Sequence, residues 1–417
     1  MNETVSLNNY FDLLKEKWWN TDASVSLNKT PISYLEKKKR ERRFDKSIDN
    51  IIIHINNFPN SDNEICIWNK KLNEIINAFL LNGYIFNIDF LPKFKDDFFK
   101  ITKEFIKEAR SFDKELKIED IGQAMRNVWI INILQVIKGE EVKLTRAVYG
   151  YSMLYPYTDN YLDDISININ DKKEFNNRFS RRLKGEKINH ANEYENKIYK
   201  LLENIEKTFS REEYPYVYES LLKIQEGQIL SLNQQDKITI PYERDILGVS
   251  IEKGGASVLV DGYLINGELN HEEINFCIGY GALLQLADDL QDVEEDLKNK
   301  HMTIISQLAG KYNLDPIADK LINFTINIVD EFKFEKCEDD IELKNLIKDN
   351  CVMLILFSMV LSKRFFSKEN IKEKSKSLPF TIKYIENLKS NLYNKFRSIK
   401  KSNDEIMNIM DKIVNIN

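Results

Sequence analysis

Two acidic segments contain the residues whose types and spacing could do chemistry. The first reads YPYTDNYLDD over residues 155–164, and the second reads LQLADDLQDVEED over residues 284–296. In the second, Asp288, Asp292 and Asp296 are four residues apart, so on a helix they would lie above one another on one face. Carboxylates so placed repel each other, and desolvation beside the preceding apolar stretch increases that cost. A divalent cation would relieve it, and clustered hard oxygen donors suit Mg²⁺.

The first acidic segment repeats this arrangement on a distant part of the chain. Asp159 and Asp163 are also four residues apart, and they follow an apolar helical pattern over residues 147–157. One such pair alone is typical of a solvated helix face. Two sets of aspartates with this four-residue spacing, each following an apolar helix, are much less common on a solvated surface. We therefore favour a shared metal site over the alternative that both are solvated faces.

Helices must position these segments, because the pattern is helical nearly throughout. Apolar residues recur at helical spacing over residues 122–139, 193–209, 219–232 and 272–297. Only 14 Gly and 8 Pro occur in 417 residues, which argues against an all-β sandwich and its frequent turns. We expect an all-α chain, with one helical domain over residues 91–417 and an N-terminal helical extension over residues 1–90.

Composition argues against several other classes of protein. The net charge of −6 does not suggest a nucleic-acid binder. The 4 cysteines form no CxxC pair, so neither a disulfide framework nor a zinc site is expected, and a cytoplasmic location fits. The longest apolar run, residues 352–361, is too short to span a bilayer. We interpret the basic run at residues 37–43 as a solvated helix face, with membrane-surface or diphosphate contact as the alternative.

Both acidic segments resemble motifs of one enzyme superfamily. The second resembles the second aspartate-rich motif of trans-prenyl diphosphate synthases, and its Asp288, Asp292 and Asp296 spacing resembles the metal-binding triad of class I terpene synthases. The first resembles the first aspartate-rich motif of the same superfamily. Together with KGGASVLVDGYL over residues 253–264, it is most similar to the large bacterial terpene synthases of the tetraprenyl-β-curcumene synthase type. The resemblance covers about residues 120–310.

This resemblance implies a class I isoprenoid synthase-like helical bundle around a central cavity. Its acidic faces would hold Mg²⁺, usually three ions, which bind a linear prenyl diphosphate and promote loss of pyrophosphate. An allylic carbocation would then cyclise or lose a proton in a pocket that excludes water. The implied catalytic residues are Asp159, Asp163, Asp288 and Asp292, and the implied metal ligands are these four with Asp164, Asp289 and Asp296.

Basic residues and a glycine pair complete the implied site. The basic residues expected to bind the substrate diphosphate are Arg181, Arg182, Lys300 and Arg364. The adjacent residues Gly254, Gly255 and Ala256 lie inside an apolar helical pattern, where each glycine costs about 1 kcal/mol relative to Ala. In the family, a helix break at about this place aims a backbone carbonyl into the cavity. A close crossing of two helices, or an ordinary turn, is the alternative explanation of the pair.

Three other functions compete with a terpene synthase. A chain-elongating prenyl diphosphate synthase is the nearest, but its N-terminal Gly-Lys-x-x-Arg pattern is missing, and Asn160 stands where its first motif has a second Asp. Head-to-head condensation, as in squalene and phytoene synthases, fits the same aspartate spacing. A non-catalytic helical scaffold could use its acidic faces only to bind partners. A long prenyl substrate would bring the enzyme into peripheral contact with a membrane.

Overall fold

The computed structural model describes residues 7–25, 27, 30–59, 61–81, 92–164, 166–232, 244–333 and 340–415. Within these ranges the chain forms seventeen α-helices and no strand, which confirms the predicted all-α class. In chain order the helices are α1 (Leu7–Asn20), α2 (Tyr34–Asn56), α3 (Asp62–Leu81), α4 (Pro92–Phe112), α5 (Ile118–Ile137), α6 (Arg146–Asp163), α7 (Ile169–Leu183), α8 (Glu193–Glu206), α9 (Pro215–Leu232), α10 (Ile246–Asn266), α11 (His271–Gln291), α12 (Val293–Asn299), α13 (Asp315–Glu331), α14 (Asp340–Leu361), α15 (Lys368–Lys374), α16 (Ile382–Phe396) and α17 (Asn403–Asn415).

The helices belong to two compact units. The first unit combines Met1–Val25 with Glu115–Asp340, and the second combines Ser26–Lys114 with Ile341–Asn417. Both acidic segments therefore lie in the first unit, which contains α1 and α5 to α13. Each unit joins segments that are far apart along the chain, whereas the sequence analysis predicts one boundary near residue 90.

The core of the first unit is built around α10 and α11. Helix α10 packs against α5, α6, α9 and α11, and α11 also packs against α13. Both helices are buried along most of their length, as expected for helices that are apolar nearly all round. Helix α11 begins at a capping box, in which Asn270 and Glu273 satisfy each other's backbone N–H groups.

Glycines let α10 and α11 approach to backbone contact. A Cβ atom built on Gly281 would lie 2.1 Å from the carbonyl oxygen of Gly254, and one built on Gly254 would lie 2.5 Å from Cβ of Gln285. On the same helix, Gly255 leaves only 3.0 Å to Cγ2 of Ile278. Any larger side chain at these positions would push the two helices apart.

This crossing corrects one prediction. Helix α10 continues without interruption through Gly254, Gly255 and Ala256, so the predicted helix break at these residues is wrong. The cost of two glycines inside a helix is offset by the packing that their missing side chains allow. The alternative explanation of the pair, a close helix crossing, is the one that the structure shows.

The N-terminal helix α1 is an integral part of the first unit. It packs against α10, α11 and α13, and Phe11 and Trp18 are almost completely buried there. The ammonium group of Lys320 on α13 donates hydrogen bonds to the backbone carbonyls of Trp18 at 2.8 Å and Thr21 at 2.6 Å. These contacts close the side of the bundle on which Phe11 lies against Gly255.

In the second unit, α2 packs against α3 and α16, and α4 packs against α17. The buried carboxylate of Glu41 accepts hydrogen bonds from the backbone N–H of Thr381 at 2.8 Å and from its hydroxyl at 2.6 Å. The rings of Phe44 and Phe380 meet edge to face, with their centroids 5.5 Å apart. Among the described residues, no helix of either unit has the length and the apolar character needed to cross a bilayer.

The crossing of α10 and α11 predicts a strong effect of one substitution. Gly281→Val should lower the free energy of unfolding by about 3 kcal/mol, because the new side chain collides with backbone atoms that cannot move aside. The control is Gly122→Ala at an exposed position of α5, where a Cβ meets no atom within 4 Å. That variant should be more stable by about 0.5–1 kcal/mol. Urea unfolding followed by circular dichroism tests both, and an unchanged midpoint for Gly281→Val would contradict the crossing.

Candidate functional site

The first acidic segment forms the C-terminal part of α6. Thr145 caps the N-terminus of this helix, and its side chain accepts a hydrogen bond from the N–H of Val148 at 3.1 Å. Near its end, the Asp159 side chain is 14% exposed, and its Oδ1 lies 3.6 Å from Nζ of Lys253 on α10. Asp163 is the last residue of the helix, and its side chain is outside the described part of the structure.

The second acidic segment spans the end of α11 and the start of α12. The sequence predicts a continuous helix here, but helix geometry is interrupted at Asp292, where α11 ends and α12 begins. The backbone hydrogen-bond spacing nevertheless continues: the N–H of Asp292 donates to the carbonyl of Asp288, and the N–H of Asp296 donates to the carbonyl of Asp292, both at 2.9 Å. The three aspartates thus stay on successive turns, although not on one straight helix.

Asp289 is the buried carboxylate of this segment. It accepts hydrogen bonds from the hydroxyl of Ser250 at 2.8 Å and from the amide of Gln285 at 3.0 Å. Burial still raises the pKa of Asp289 to about 6, because these bonds only partly replace lost hydration. Burial, followed by the negative charge of Asp289, raises the pKa of Asp296 to about 7. The segment therefore carries more negative charge than its surroundings stabilise.

Asp288 experiences the same repulsion at a more accessible position. Asp288 is an exposed residue, but protein atoms still surround much of its carboxylate group. This desolvation is the largest cause of its raised pKa, and the negative charge of Asp292 is the second. A cation bound beside Asp288 and Asp292 would stabilise both carboxylates.

Tyr155 shows that the two acidic segments converge. Its phenol pKa is raised well above the usual range, first by the negative charge of Asp159 one turn later, then by burial, and also by the charge of Asp288. The positive charges of Lys253 and Arg126 act on the same phenol in the opposite direction. Lys253, Arg126 and Asp159 also act on the pKa of Asp288. Helices α5, α6, α10 and α11 thus bring two cations and two carboxylates into one cluster.

The donor set of this cluster fits Mg²⁺. Over the described residues, no three or more His, Cys, Asp and Glu side chains are close enough to hold a metal by themselves. Mg²⁺ does not require such a cage, because it usually takes one or two carboxylates and completes its shell with waters and substrate phosphates. The crowding of Asp288, Asp289, Asp292 and Asp296 in one segment, where each negative charge raises the pKa of a neighbour, favours a cation here.

A cavity begins beside this cluster, and Tyr155 belongs to both. Its wall is formed by α6, α7 and α9 and consists of Tyr151, Leu154, Tyr155, Thr158, Phe179, Leu183, Leu221, Ile224, Gln225 and Gln228. Most of these side chains are apolar or aromatic. The cavity leaves about 20 Å³ for the centres of water-sized spheres, which is room for about one water molecule. In this structure it is a narrow apolar cleft rather than a deep pocket.

The predicted arginine pair has other partners. Arg182 forms a two-pronged ion pair with Glu206, in which one bond measures 2.6 Å, and Arg211 joins the same carboxylate. Arg181 pairs with Glu186 at the surface, at 2.7 Å. These pairs connect α7 to the end of α8 and to the turn after α7. Their geometry gives both residues a structural role, and diphosphate binding by them stays a prediction.

The other predicted diphosphate ligands lie in different surroundings. Lys300 is an exposed residue at the end of α12, in a left-handed backbone conformation with φ of 59°. Arg364 belongs to the second unit, where its guanidinium lies over the ring of Phe365. Asp164, a predicted metal ligand, is exposed and accepts a hydrogen bond from the N–H of Ser166 at 2.8 Å. Diphosphate binding by Lys300 and Arg364 and metal binding by Asp164 stay predictions.

Sequence reasoning missed the two cations of the cluster. Lys253 directly precedes Gly254 and Gly255, and its place beside this glycine pair is the sequence signal that could have identified it. Arg126 lies in no motif, and only the packing of α5 beside α6 and α10 reveals its position. His301 also belongs to this neighbourhood, because burial and then the charge of Lys253 lower its pKa.

Asp261, on α10, is a further buried acid that the sequence did not single out. It is fully buried, and its Oδ1 accepts a hydrogen bond from the amide of Asn127 at 2.9 Å. Its Oδ2 has no hydrogen-bond partner among the described residues. Burial raises the pKa of Asp261 well above its usual range. The same carboxyl group raises the pKa of Tyr151, so this buried group lies behind the wall of the cavity.

Comparison with protein-family models, with curated proteins and with solved structures finds no match to the chain. Any functional assignment must therefore be argued from the arrangement of these side chains.

Asp261 predicts a pH dependence of stability. Its folded pKa is raised above the unfolded value of about 3.9, so the folded state loses stability as the pH rises from about 4 towards the folded pKa. The slope is at most about 1.4 kcal/mol per pH unit for one proton. Asp261→Asn removes this titration, so urea unfolding at several pH values should show the variant gaining stability relative to the wild type as pH rises. A constant difference would mean that Asp261 is ionised in the fold.

Proposed function

We propose that this protein is a Mg²⁺-dependent class I terpene synthase. It would ionise a linear prenyl diphosphate, release pyrophosphate and convert the carbocation by cyclisation or proton loss. The main support is the convergence of Asp159 and Asp288, from separate acidic segments, on Tyr155, which also lines the apolar cleft. A charged cluster beside an apolar wall suits a substrate with a diphosphate head and a hydrocarbon tail.

The carboxylates would hold the metal at the entrance of the cleft. Asp159, Asp288 and Asp292 are the residues best placed for this, since Asp288 and Asp292 repel each other and Asp159 acts on the same group. When bound, Mg²⁺ neutralises charge on the diphosphate and makes it a better leaving group. The involvement of Asp163 in this set stays a prediction.

Lys253 and Arg126 would supply fixed positive charge to the same group. Lys253 lies 3.6 Å from the Asp159 carboxylate, and its side chain is 20% exposed, so its ammonium remains accessible from the cluster. Arg126 contributes a planar guanidinium, which suits two-pronged contact with phosphate oxygens. Donors that are already in place stabilise the charge that develops on the leaving pyrophosphate without reorganisation.

The aromatic wall would protect and guide the carbocation. Tyr151, Tyr155 and Phe179 line the cleft, and the faces of aromatic rings attract a cation. The exclusion of water prevents early capture of the cation. Because the cleft has room for only about one water, a prenyl chain must displace side chains of α7 or α9 when it binds. The extent of that opening would set the length of the substrate.

The cellular location in the proposal rests on sequence alone. A cytoplasmic location stays a prediction from the unpaired pattern of the cysteines, of which Cys66, Cys277 and Cys351 are free thiols in the structure. The choice between cyclisation, elimination and condensation depends on the shape of the opened cleft.

A thermal-shift measurement tests for the metal and diphosphate site. Mg²⁺ and pyrophosphate together should raise the melting temperature, because a ligand that binds only the folded state stabilises it through linkage. Asp288→Asn should lose most of this shift, since it removes one of the charges that attract the cation. Equal shifts in the variant and the wild type would place the ligands elsewhere. No shift in the wild type would favour the non-catalytic scaffold.

Pyrophosphate release tests the reaction itself. With Mg²⁺ and prenyl diphosphates of C10 to C35, the wild type should release pyrophosphate and form hydrocarbon products, while Asp292→Ala should be inactive. Lys253→Gln should lose about 100-fold in kcat, as expected when one preorganised charge is removed. The control Glu272→Gln, at the opposite end of α11, should keep wild-type activity. A longer diphosphate formed only when isopentenyl diphosphate is added would instead show a chain-elongating synthase.

A further inference from the structure

Helix α2 of the second unit has one face that its own unit leaves uncovered. Its buried face includes Phe44, Ile48 and Ile52, which pack into the core of this unit. On the opposite side are four exposed basic residues at helical spacing, and we refer to these as the basic face: Lys39, Arg42, Arg43 and Lys46. Residues three and four apart are neighbours on a helix surface, so the four charges form one continuous patch.

Among the described residues, the charges of the basic face have no acidic partner. Other basic residues of the same run have partners, as Arg40 pairs with Glu36 at 3.4 Å and Lys38 with Glu41 at 2.6 Å. The nearby acid Asp49 is paired with Lys395 at 2.5 Å. Like charges at this spacing destabilise a helix, so an anionic partner would relieve the repulsion.

Two exposed apolar side chains flank the basic face. Leu35 is 74% exposed, and Ile53 is 57% exposed. Eighteen residues of α-helix make five turns, so Leu35 and Ile53 point in the same direction as the centre of the basic face, about 27 Å apart. The exposed side of α2 therefore carries four cations between Leu35 and Ile53, with Asp49 and Asn50 between Lys46 and Ile53.

We propose that the basic face of α2 binds the surface of a phospholipid bilayer that contains anionic headgroups. Lysine and arginine clusters on an amphipathic helix are attracted to such a surface, and the attraction grows with the number of cations. Leu35 and Ile53 would enter the boundary between headgroups and acyl chains, which anchors a helix lying flat on the membrane. A nucleic acid or an acidic protein segment would match the cations but offers no hydrocarbon layer for both apolar ends. This proposal concerns the second unit and does not depend on the reaction proposed for the first.

Flotation of the full chain with vesicles tests the proposal. Vesicles of phosphatidylcholine with about 30 mol% phosphatidylserine should bind the protein at least about tenfold more tightly than vesicles of phosphatidylcholine alone. About 0.5 M NaCl should abolish most of the binding, because it screens the charges. Equal binding to both vesicles, or none to either, would overturn the proposal.

Two pairs of substitutions locate the surface. Lys39→Glu with Arg43→Glu should lower binding to the anionic vesicles at least about tenfold. Leu35→Ser with Ile53→Ser should weaken the part of the binding that remains at high salt, because apolar insertion is not screened. The matched control, Lys184→Glu with Lys187→Glu, changes the net charge equally at exposed residues of the first unit and should bind like the wild type. An equal loss in the control would mean that net charge alone governs binding and would overturn the assignment to α2. Binding of single-stranded RNA by the basic face, with no binding to vesicles, would overturn it in favour of a nucleic acid.

If the charge-reversed variant does not fold, as judged by circular dichroism, Lys39→Gln with Arg43→Gln replaces it. This milder pair still removes half of the cations from the basic face and should lower binding to the anionic vesicles about tenfold.

Discussion

The close contact between α10 and α11 is the constraint on which the candidate site depends. Gly254 and Gly281 allow the two backbones to meet, and this contact sets the register of the antiparallel pair. The same register lets the hydroxyl of Ser250 reach the buried carboxylate of Asp289 at 2.8 Å. It also presents Lys253 to the acidic segments of both α6 and α11. A wider separation of the two helices would remove the hydrogen bond and the charge contact together.

Opposing electrostatic effects act on the pKa values of the carboxylates at this end of the helix pair, and they do not cancel. Burial and mutual repulsion raise the pKa values of Asp288, Asp289 and Asp296, while Lys253 opposes part of the rise at Asp288 and Asp289, and Arg126 at Asp288. A protein that needed these carboxylates only for folding would be more stable with neutral side chains there, because buried charges are costly unless paired. Retaining them is consistent with a site that gains its missing positive charge from a bound cation. This argument supports the proposed metal site independently of any resemblance to an enzyme family.

The sequence predicted the helices better than the details of the site. Helical periodicity correctly indicated an all-α chain, because a buried helix face must recur with the helical period. It could not show the interruption at Asp292, since the aspartate spacing continues across it. A glycine pair is compatible with a broken helix and with a close crossing, so only the facing residue Gly281 distinguishes the two. The partners of Arg182, namely Glu206 and Arg211, lie far along the chain and are invisible to a local motif.

The basic run of α2 shows why whole-chain composition can conceal a local surface. A net charge of −6 argues correctly against a chain that is basic throughout, but it averages over both units. Along the sequence, the run at residues 37–43 mixes buried, paired and exposed residues, and its interpretation as a solvated face was the simplest. The structure separates these classes: Lys37 is buried, Lys38 and Arg40 are paired, and the remaining cations extend to Lys46 on one exposed side. Because unpaired like charges persist there beside exposed Leu35 and Ile53, an anionic surface with an apolar layer beneath it matches this face better than water does.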